Sequence, residues 1–237
     1  MQKLKPLKKF GQNYLTDKNI LAKIVNVISP SVEDNLVEIG PGLGSLTDLL
    51  IQSNPRLTAV EIDSRAIEIL KEKYPQLNLI HADFLKMNIK ELYGAVPKLK
   101  VVGNIPYNIT SPILFKLIEN HSLVKEAVFM IQHEVAVRMV AASGNKDYGI
   151  LAVILKKFCE VELCFKVSPN VFYPKPKVHS AVIHIRFKEL AITDNEKKVF
   201  IALVKAMFNN RRKTIKNSLS NSIFGSIDFS DSGIDMT

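Results

Sequence analysis

Asn35-Leu36-Val37-Glu38-Ile39-Gly40-Pro41-Gly42-Leu43-Gly44 is the stretch whose reading decides the fold. An apolar run of strand length ends in glycines at alternate positions, and helical spacing begins at Ser45. Strand, glycine turn and helix in that order open a parallel α/β sheet. The glycines let a ligand approach the backbone, and the following helix N-terminus carries partial positive charge. Outward from this unit the alternation repeats. Leu57 to Ile62 reads as a second strand, Arg65 to Tyr74 as an amphipathic helix, and Leu77 to His81 as a third strand. Lys100 to Val102 and Ala127 to Ile131 read as the fourth and fifth. Upstream, Thr16-Asp17 caps a helix running to about Ile28, with Pro30 beyond it. Downstream come two helices, His133 to Ala141 and Tyr148 to Phe158, then two antiparallel strands, Val161 to Val167 and Val178 to Phe187. The sheet is therefore mixed and mostly parallel, with a hairpin at one edge. After a break at Lys188 to Asp194, helices are predicted over Asn195 to Phe208 and Arg211 to Leu219. The expected division is residues 1–188, a Rossmann-like α/β domain, and 189–237, a small helical domain.

The glycine spacing is G-x-G-x-G, not the G-x-G-x-x-G of dinucleotide binders, so no pyrophosphate is implied. Glu61 ends the second strand, where a carboxylate can accept both hydroxyls of a ribose. Asp83 follows the third strand and can accept from an adenine amine. Each acid alone is an ordinary strand-end charge. Together at the carboxyl edge of one parallel sheet they fit a bound adenosine, and an acid-lined pocket suits a cationic sulfonium. S-adenosylmethionine is the expected cofactor.

Asn104-Ile105-Pro106-Tyr107 follows the fourth strand at the same edge. The exocyclic amine of adenine is a poor nucleophile because its lone pair is delocalised into the ring. An Asn side-chain oxygen and a backbone carbonyl can accept both amine hydrogens and aim the pair at an incoming methyl. Pro106 fixes φ and removes a donor, and Tyr107 can stack on the base. Orientation and electrostatics suffice, with no strong base. Taken alone, the four residues fit a proline turn with a packed tyrosine equally well.

These residues together resemble the rRNA adenine N6-dimethyltransferases, a family of class I S-adenosylmethionine-dependent methyltransferases. The similarity runs from Lys8 to about Leu219 and begins with Phe10-Gly11-Gln12-Asn13-Tyr14-Leu15. The resemblance implies that this segment lies over the cofactor, with Asn13 and Leu15 in contact. It further implies Gly40 at the methionine side, Glu61 at the ribose, Asp83 at the adenine, and Asn104 at the reacting amine and bordering the cofactor. Phe172, within Phe172-Tyr173-Pro174-Lys175-Pro176-Lys177-Val178, matches the second base-stacking aromatic, facing Tyr107 across a flipped adenine. Val178-His179-Ser180-Ala181-Val182 and the segment from Phe208 to Leu219 resemble the small-subunit branch. That branch implies dimethylation of two adjacent adenines near the 3′ end of small-subunit rRNA during ribosome biogenesis. The Ser- and Asp-rich tail from Gly225 departs from the family's pattern, in which a further short helix follows, and implies a truncated second domain.

The formal net charge is +9, which favours a polyanionic partner. Arg211, Arg212, Lys213 and Lys216 are expected to share one helix as the RNA-binding face. Lys175 and Lys177 flank the proposed base pocket, and Lys3, Lys5, Lys8 and Lys9 cluster at the N-terminus. Arg138 is either a further RNA contact or one half of a surface ion pair. Cys159 and Cys164 lack metal-ligand spacing and read as small hydrophobes, so no metal is expected. No apolar run is long enough to span a bilayer, and the basic N-terminus lacks the apolar region of a secretory signal. A cytoplasmic monomer working on the small ribosomal subunit is the expectation. The alternatives are a large-subunit resistance enzyme, a DNA adenine methyltransferase, which would commonly carry Asp-Pro-Pro-Tyr, and a non-enzymatic ribosome assembly factor.

Overall fold

The computed structural model describes residues 6–7, 11–92, 97–209 and 213–226. Five strands form the parallel part of the main sheet: β2 (Asn35–Ile39), β3 (Thr58–Glu61), β4 (Asn78–His81), β5 (Leu99–Asn104) and β6 (Val124–Gln132). Two more, β7 (Cys159–Val167) and β9 (Ser180–Phe187), complete it in the order β4-β3-β2-β5-β6-β9-β7. β9 is antiparallel to both β6 and β7, which is the expected edge hairpin. From β2 the chain winds one way to β3 and β4, then returns to the other side of β2 for β5 and β6. The carboxyl ends of β2 and β5 therefore flank a topological switch point, where open α/β sheets hold their ligands.

Strand residues alternate between the two sheet faces, and each face builds its own core. Val37, Val101, Phe129 and Ile183 pack with Leu114 and Leu117 of α4 (Thr110–Glu119) and Leu155 of α6 (Ile150–Phe158). Leu36, Val102, Val128 and Val182 pack with α1 (Lys18–Ile28), α2 (Thr47–Ser53) and α3 (Ser64–Lys73) through Leu21, Ile24, Leu50 and Leu70. α1 starts where expected: the Asp17 carboxylate accepts from the Asn19 and Ile20 amides at 2.9 and 3.0 Å. α4 has no counterpart in the sequence reading. It grows directly out of the proline turn and carries Pro112 in its first turn, where a missing N–H costs nothing. A small ladder, β1 (Tyr14–Leu15) with β8 (Phe172–Tyr173), was likewise not expected, since two-residue strands carry no periodicity.

The C-terminal part departs from expectation in one respect. α7 (Asp194–Phe208) begins at a capping box between Thr193 and Glu196. It packs on the main body, with the Phe158 and Phe200 rings 5.9 Å apart and Lys197 Nζ donating to the Glu119 carbonyl. Of the helix expected over Arg211 to Leu219, the described residues contain α8 (Ile215–Leu219). Thr214 is extended and its hydroxyl accepts from the Asn217 amide, so the helix can begin only after it. Lys213 thus precedes the helix and does not share it with Lys216. Arg211, Arg212 and the N-terminal Lys3, Lys5, Lys8 and Lys9 lie outside the described residues.

Candidate active site

The glycine turn after β2 takes three left-handed residues, with φ of 65° at Gly40, 56° at Gly42 and 78° at Gly44. A Cβ at Gly42 would lie 2.9 Å from the Tyr14 ring, and one at Gly44 2.8 Å from the Tyr74 ring. At Gly40 a Cβ would meet nothing within 4 Å, so this glycine alone leaves open space beside it. The loop encloses one side of a cavity of about 370 Å³ at the switch point, within the usual range for a small-molecule site. Asn13, Leu15, Gly40, Glu61, Asp83, Asn104 and Tyr107 all line it. The structure therefore brings together every predicted cofactor residue.

Glu61, at the end of β3, is 4% exposed. Its Oε2 accepts from the Gly42 amide at 3.0 Å, and Oε1 accepts from the Ile62 and Asp63 amides at 2.8 and 2.9 Å. The carboxylate thus holds the glycine loop against β3, with acceptor capacity left on Oε2. Asp83 accepts from the Leu85 amide at 2.9 Å and keeps its other oxygen 4.0 Å from Lys86 Nζ.

Asn104 is the last residue of β5 rather than the first beyond it. Its Nδ2 donates to the Asn13 carbonyl at 2.8 Å, which leaves Oδ1 as the acceptor for an incoming group. The β1 segment is itself clipped to β8, Leu15 opposite Phe172 and Tyr14 opposite Tyr173. Within the turn the Pro106 carbonyl accepts from the Ile109 amide at 3.1 Å. Tyr107 meets Ser180 through its hydroxyl at 2.8 Å, and burial raises its phenol above the usual range.

Phe172 sits differently from its expected position. It is 6% exposed, packed with Leu15 and Val171, and absent from the residues lining the cavity. The ladder explains this: it turns Phe172 to the core side and leaves Tyr173 exposed. Lys175, Lys177, Lys213 and Lys216 are all exposed. Arg138 pairs with Glu134 across one helical turn at 2.5 Å.

Three site residues were missed by sequence reasoning. Glu38, 2% exposed, lines the cavity floor. Thr47 Oγ1 donates to it at 2.6 Å, yet burial pushes its carboxyl up to about 7, with Glu61 and Asp48 adding repulsion. Tyr14 has a buried hydroxyl with no partner among the described residues, and burial with Asp63 and Glu61 pushes it up to about 12. Gly103 allows β5 to approach β2: a Cβ there would lie 2.5 Å from the Ile39 carbonyl. Only Glu38 had a signal, its place at the end of the first strand.

An acid-lined cavity with a glycine opening fits a cationic nucleoside such as S-adenosylmethionine. Glu61 supplies negative potential, Asp83 an acceptor, and Gly40 room for backbone approach, while a cation in the cavity would favour the ionised form of Glu38. Among the described residues no group of three His, Cys, Asp or Glu is placed to hold a metal ion, and no helix is long and apolar enough to cross a membrane.

Comparison with known proteins gives the family. The profile of the family described as "Ribosomal RNA adenine dimethylase" matches residues 3–236. The "Ribosomal RNA small subunit methyltransferase A" of Prosthecochloris aestuarii is 47% identical over 90% of this chain and 80% of its own. The crystal structure of a dimethyladenosine transferase from Plasmodium falciparum superposes with a TM-score of 0.74 at 31% identity, covering 89% of this chain and 76% of that one. The 23S rRNA methyltransferase ErmE superposes with a TM-score of 0.70 at 27% identity, covering 94% and 91%.

Proposed function

Since the chain belongs to the ribosomal RNA adenine dimethylase family, we propose that it dimethylates the N6 amines of two adjacent adenosines near the 3′ end of small-subunit rRNA, with S-adenosylmethionine as methyl donor. The observation that carries the reading is the Asn104 amide, fixed by the Asn13 carbonyl at the edge of the cofactor cavity. The small-subunit branch is favoured because a small-subunit relative is 47% identical, against 27% for the 23S enzyme.

When bound, S-adenosylmethionine supplies an electrophilic methyl group. Gly40, Glu61 and Asp83 bind its methionine, ribose and adenine parts, and Asn13 and Leu15 close over it. Asn104 Oδ1 accepts one hydrogen of the target amine. The Ile105 carbonyl accepts the other, because the Pro106 carbonyl is engaged by Ile109. Tyr107 stacks on the flipped base. The family resemblance assigns the opposite wall to Phe172, which here stands behind Leu15 at the cavity's rim. Lys175 and Lys177 hold the target strand. Residues 189–237 act as an RNA-binding unit, with Lys213, Lys216 and the neighbouring Arg211 and Arg212 on phosphates. The partner is the small ribosomal subunit in the cytoplasm.

Parallel incubation of immature small subunits and of naked large-subunit rRNA with isotopically labelled S-adenosylmethionine, followed by mass spectrometry of each rRNA, tests the reading. Labelled N6,N6-dimethyladenosine is expected. Asn104→Ala should bind subunits normally and lose activity by about 10²–10³-fold, the usual cost of removing a preorganised dipole. Label found only in large-subunit rRNA, or full activity in Asn104→Ala, would sink it.

A further inference from the structure

Ser180 is the first residue of β9 and fully buried, paired with Gln132 of β6 and Val167 of β7. Its hydroxyl meets the Tyr107 phenol at 2.8 Å. The two partners differ in how firmly they are held. Ser180 lies in a strand hydrogen-bonded on both sides, and the adjacent His179 carbonyl accepts from the His133 amide at 2.9 Å. Tyr107 begins a 3₁₀ turn, Tyr107–Ile109, that has no side-chain cap and runs on into α4. Positional information therefore runs from the sheet to the turn.

The chemistry has no use for the phenol itself. Stacking uses the ring face, and burial holds the hydroxyl in its neutral form. A phenylalanine would stack as well. What the hydroxyl adds is a second fixed point on the ring's long axis, which holds that axis in one direction where χ1 alone allows several staggered wells.

We propose that Ser180 is a positioning residue that holds the long axis of the Tyr107 ring in place and so governs the second methylation of each adenine more than the first. The inference rests on the reading of Tyr107 as the stacking residue. In each transfer the N6 lone pair forms the new N–C bond as the methyl C–S bond breaks. The C–S electron pair stays on sulfur as a thioether, and an N6 proton leaves to water. The first transfer acts on an amine with two N–H donors, held by Asn104 Oδ1 and the Ile105 carbonyl. The second acts on a monomethylated amine with one N–H. One of the two polar contacts is gone, and the orientation of the base depends correspondingly more on the stack.

The test is the ratio of N6-methyladenosine to N6,N6-dimethyladenosine in small-subunit rRNA at matched total methylation, for the parent, Ser180→Ala, Tyr107→Phe and the double variant. Each single variant breaks the same bond from one side, so one misfolded protein does not stop the test. Both singles should raise the monomethyl fraction about five- to tenfold, the effect of one hydrogen bond. The double variant should do no more than either single, because only one interaction is removed. Ser180 does not line the cavity, so Ser180→Ala should keep the parent's affinity for S-adenosylhomocysteine by calorimetry. A merely structural role would lower both methylation steps and the melting temperature together and leave the ratio unmoved. A parent-like ratio in both singles, with the parent itself dimethylating, would overturn the tether alone. Failure of the parent to make any dimethyladenosine would overturn the functional reading and the tether with it.

Discussion

Glu38 sits at the floor of the cavity with one donor, Thr47, and two acidic neighbours. Burial raises its carboxyl from 4.5 to about 7. Below about pH 4.5 the group is protonated both folded and unfolded, and it costs nothing. As the pH climbs toward 7 the unfolded carboxyl ionises while the folded one resists, and stability falls across that window. Glu38→Gln keeps an acceptor for Thr47 and removes the titration. Its stability relative to the parent, measured by denaturant unfolding without cofactor, should therefore rise between pH 5 and pH 8 by on the order of 3 kcal/mol, at about 1.4 kcal/mol per pKa unit. A pH-independent difference would refute the assignment. At this scale the sequence was informative about chemistry and poor about contacts. Asn104, Glu61 and Asp83 were legible as acceptors at strand ends. That Glu61 spends its carboxylate on three backbone amides was not legible, and neither was the burial of Phe172, since both depend on segments distant in the chain.

Strands β2 to β5 and helices α1 to α3 were legible because each carries its own signal: apolar runs of strand length, helical spacing, an Asp cap, glycines at the turn. The elements that escaped had no such signal or a competing one. β1 and β8 are too short to show a period, and α4 begins inside a proline turn. α8 was placed too early because Arg211 to Lys213 continues the pattern of good helix formers, while Thr214 offers its hydroxyl as a cap. The packing of β5 on β2 belongs to this scale too. Gly103 falls just beyond the strand read as Lys100 to Val102, yet it lies within β5 and stands against the Ile39 carbonyl at the switch point. Gly103→Ala should force the strands apart and cost about 1–3 kcal/mol, as overpacking does. It should also weaken cofactor binding, since the displaced residues border the cavity. Thermal melting and calorimetry with S-adenosylhomocysteine check both effects; an unchanged melting temperature would argue against the close approach.

For the whole molecule, charge decides how the partner is met. With a net +9, binding to rRNA should weaken steeply with salt. Replacing Lys175 and Lys177 together by Gln should reduce the slope of log K against log salt by about 1.4, at about 0.7 per phosphate on single-stranded RNA. An unchanged slope would remove these lysines from the RNA path. The basic composition already announced a polyanion, and the alternation of strands and helices already announced a parallel sheet with its ligand at the carboxyl edge. Both are readable because periodicity, glycine turns and net charge are local or additive properties of a chain. The closure of the site is neither. The Asn13 carbonyl reaches Asn104 across 91 residues, and Ser180 reaches Tyr107 across 73. Those contacts exist because the β1–β8 ladder lies over the end of the main sheet where β5 finishes and β9 begins. No spacing within any single segment encodes a bond between segments, so the tertiary structure alone decided which acceptor is free and which ring is held.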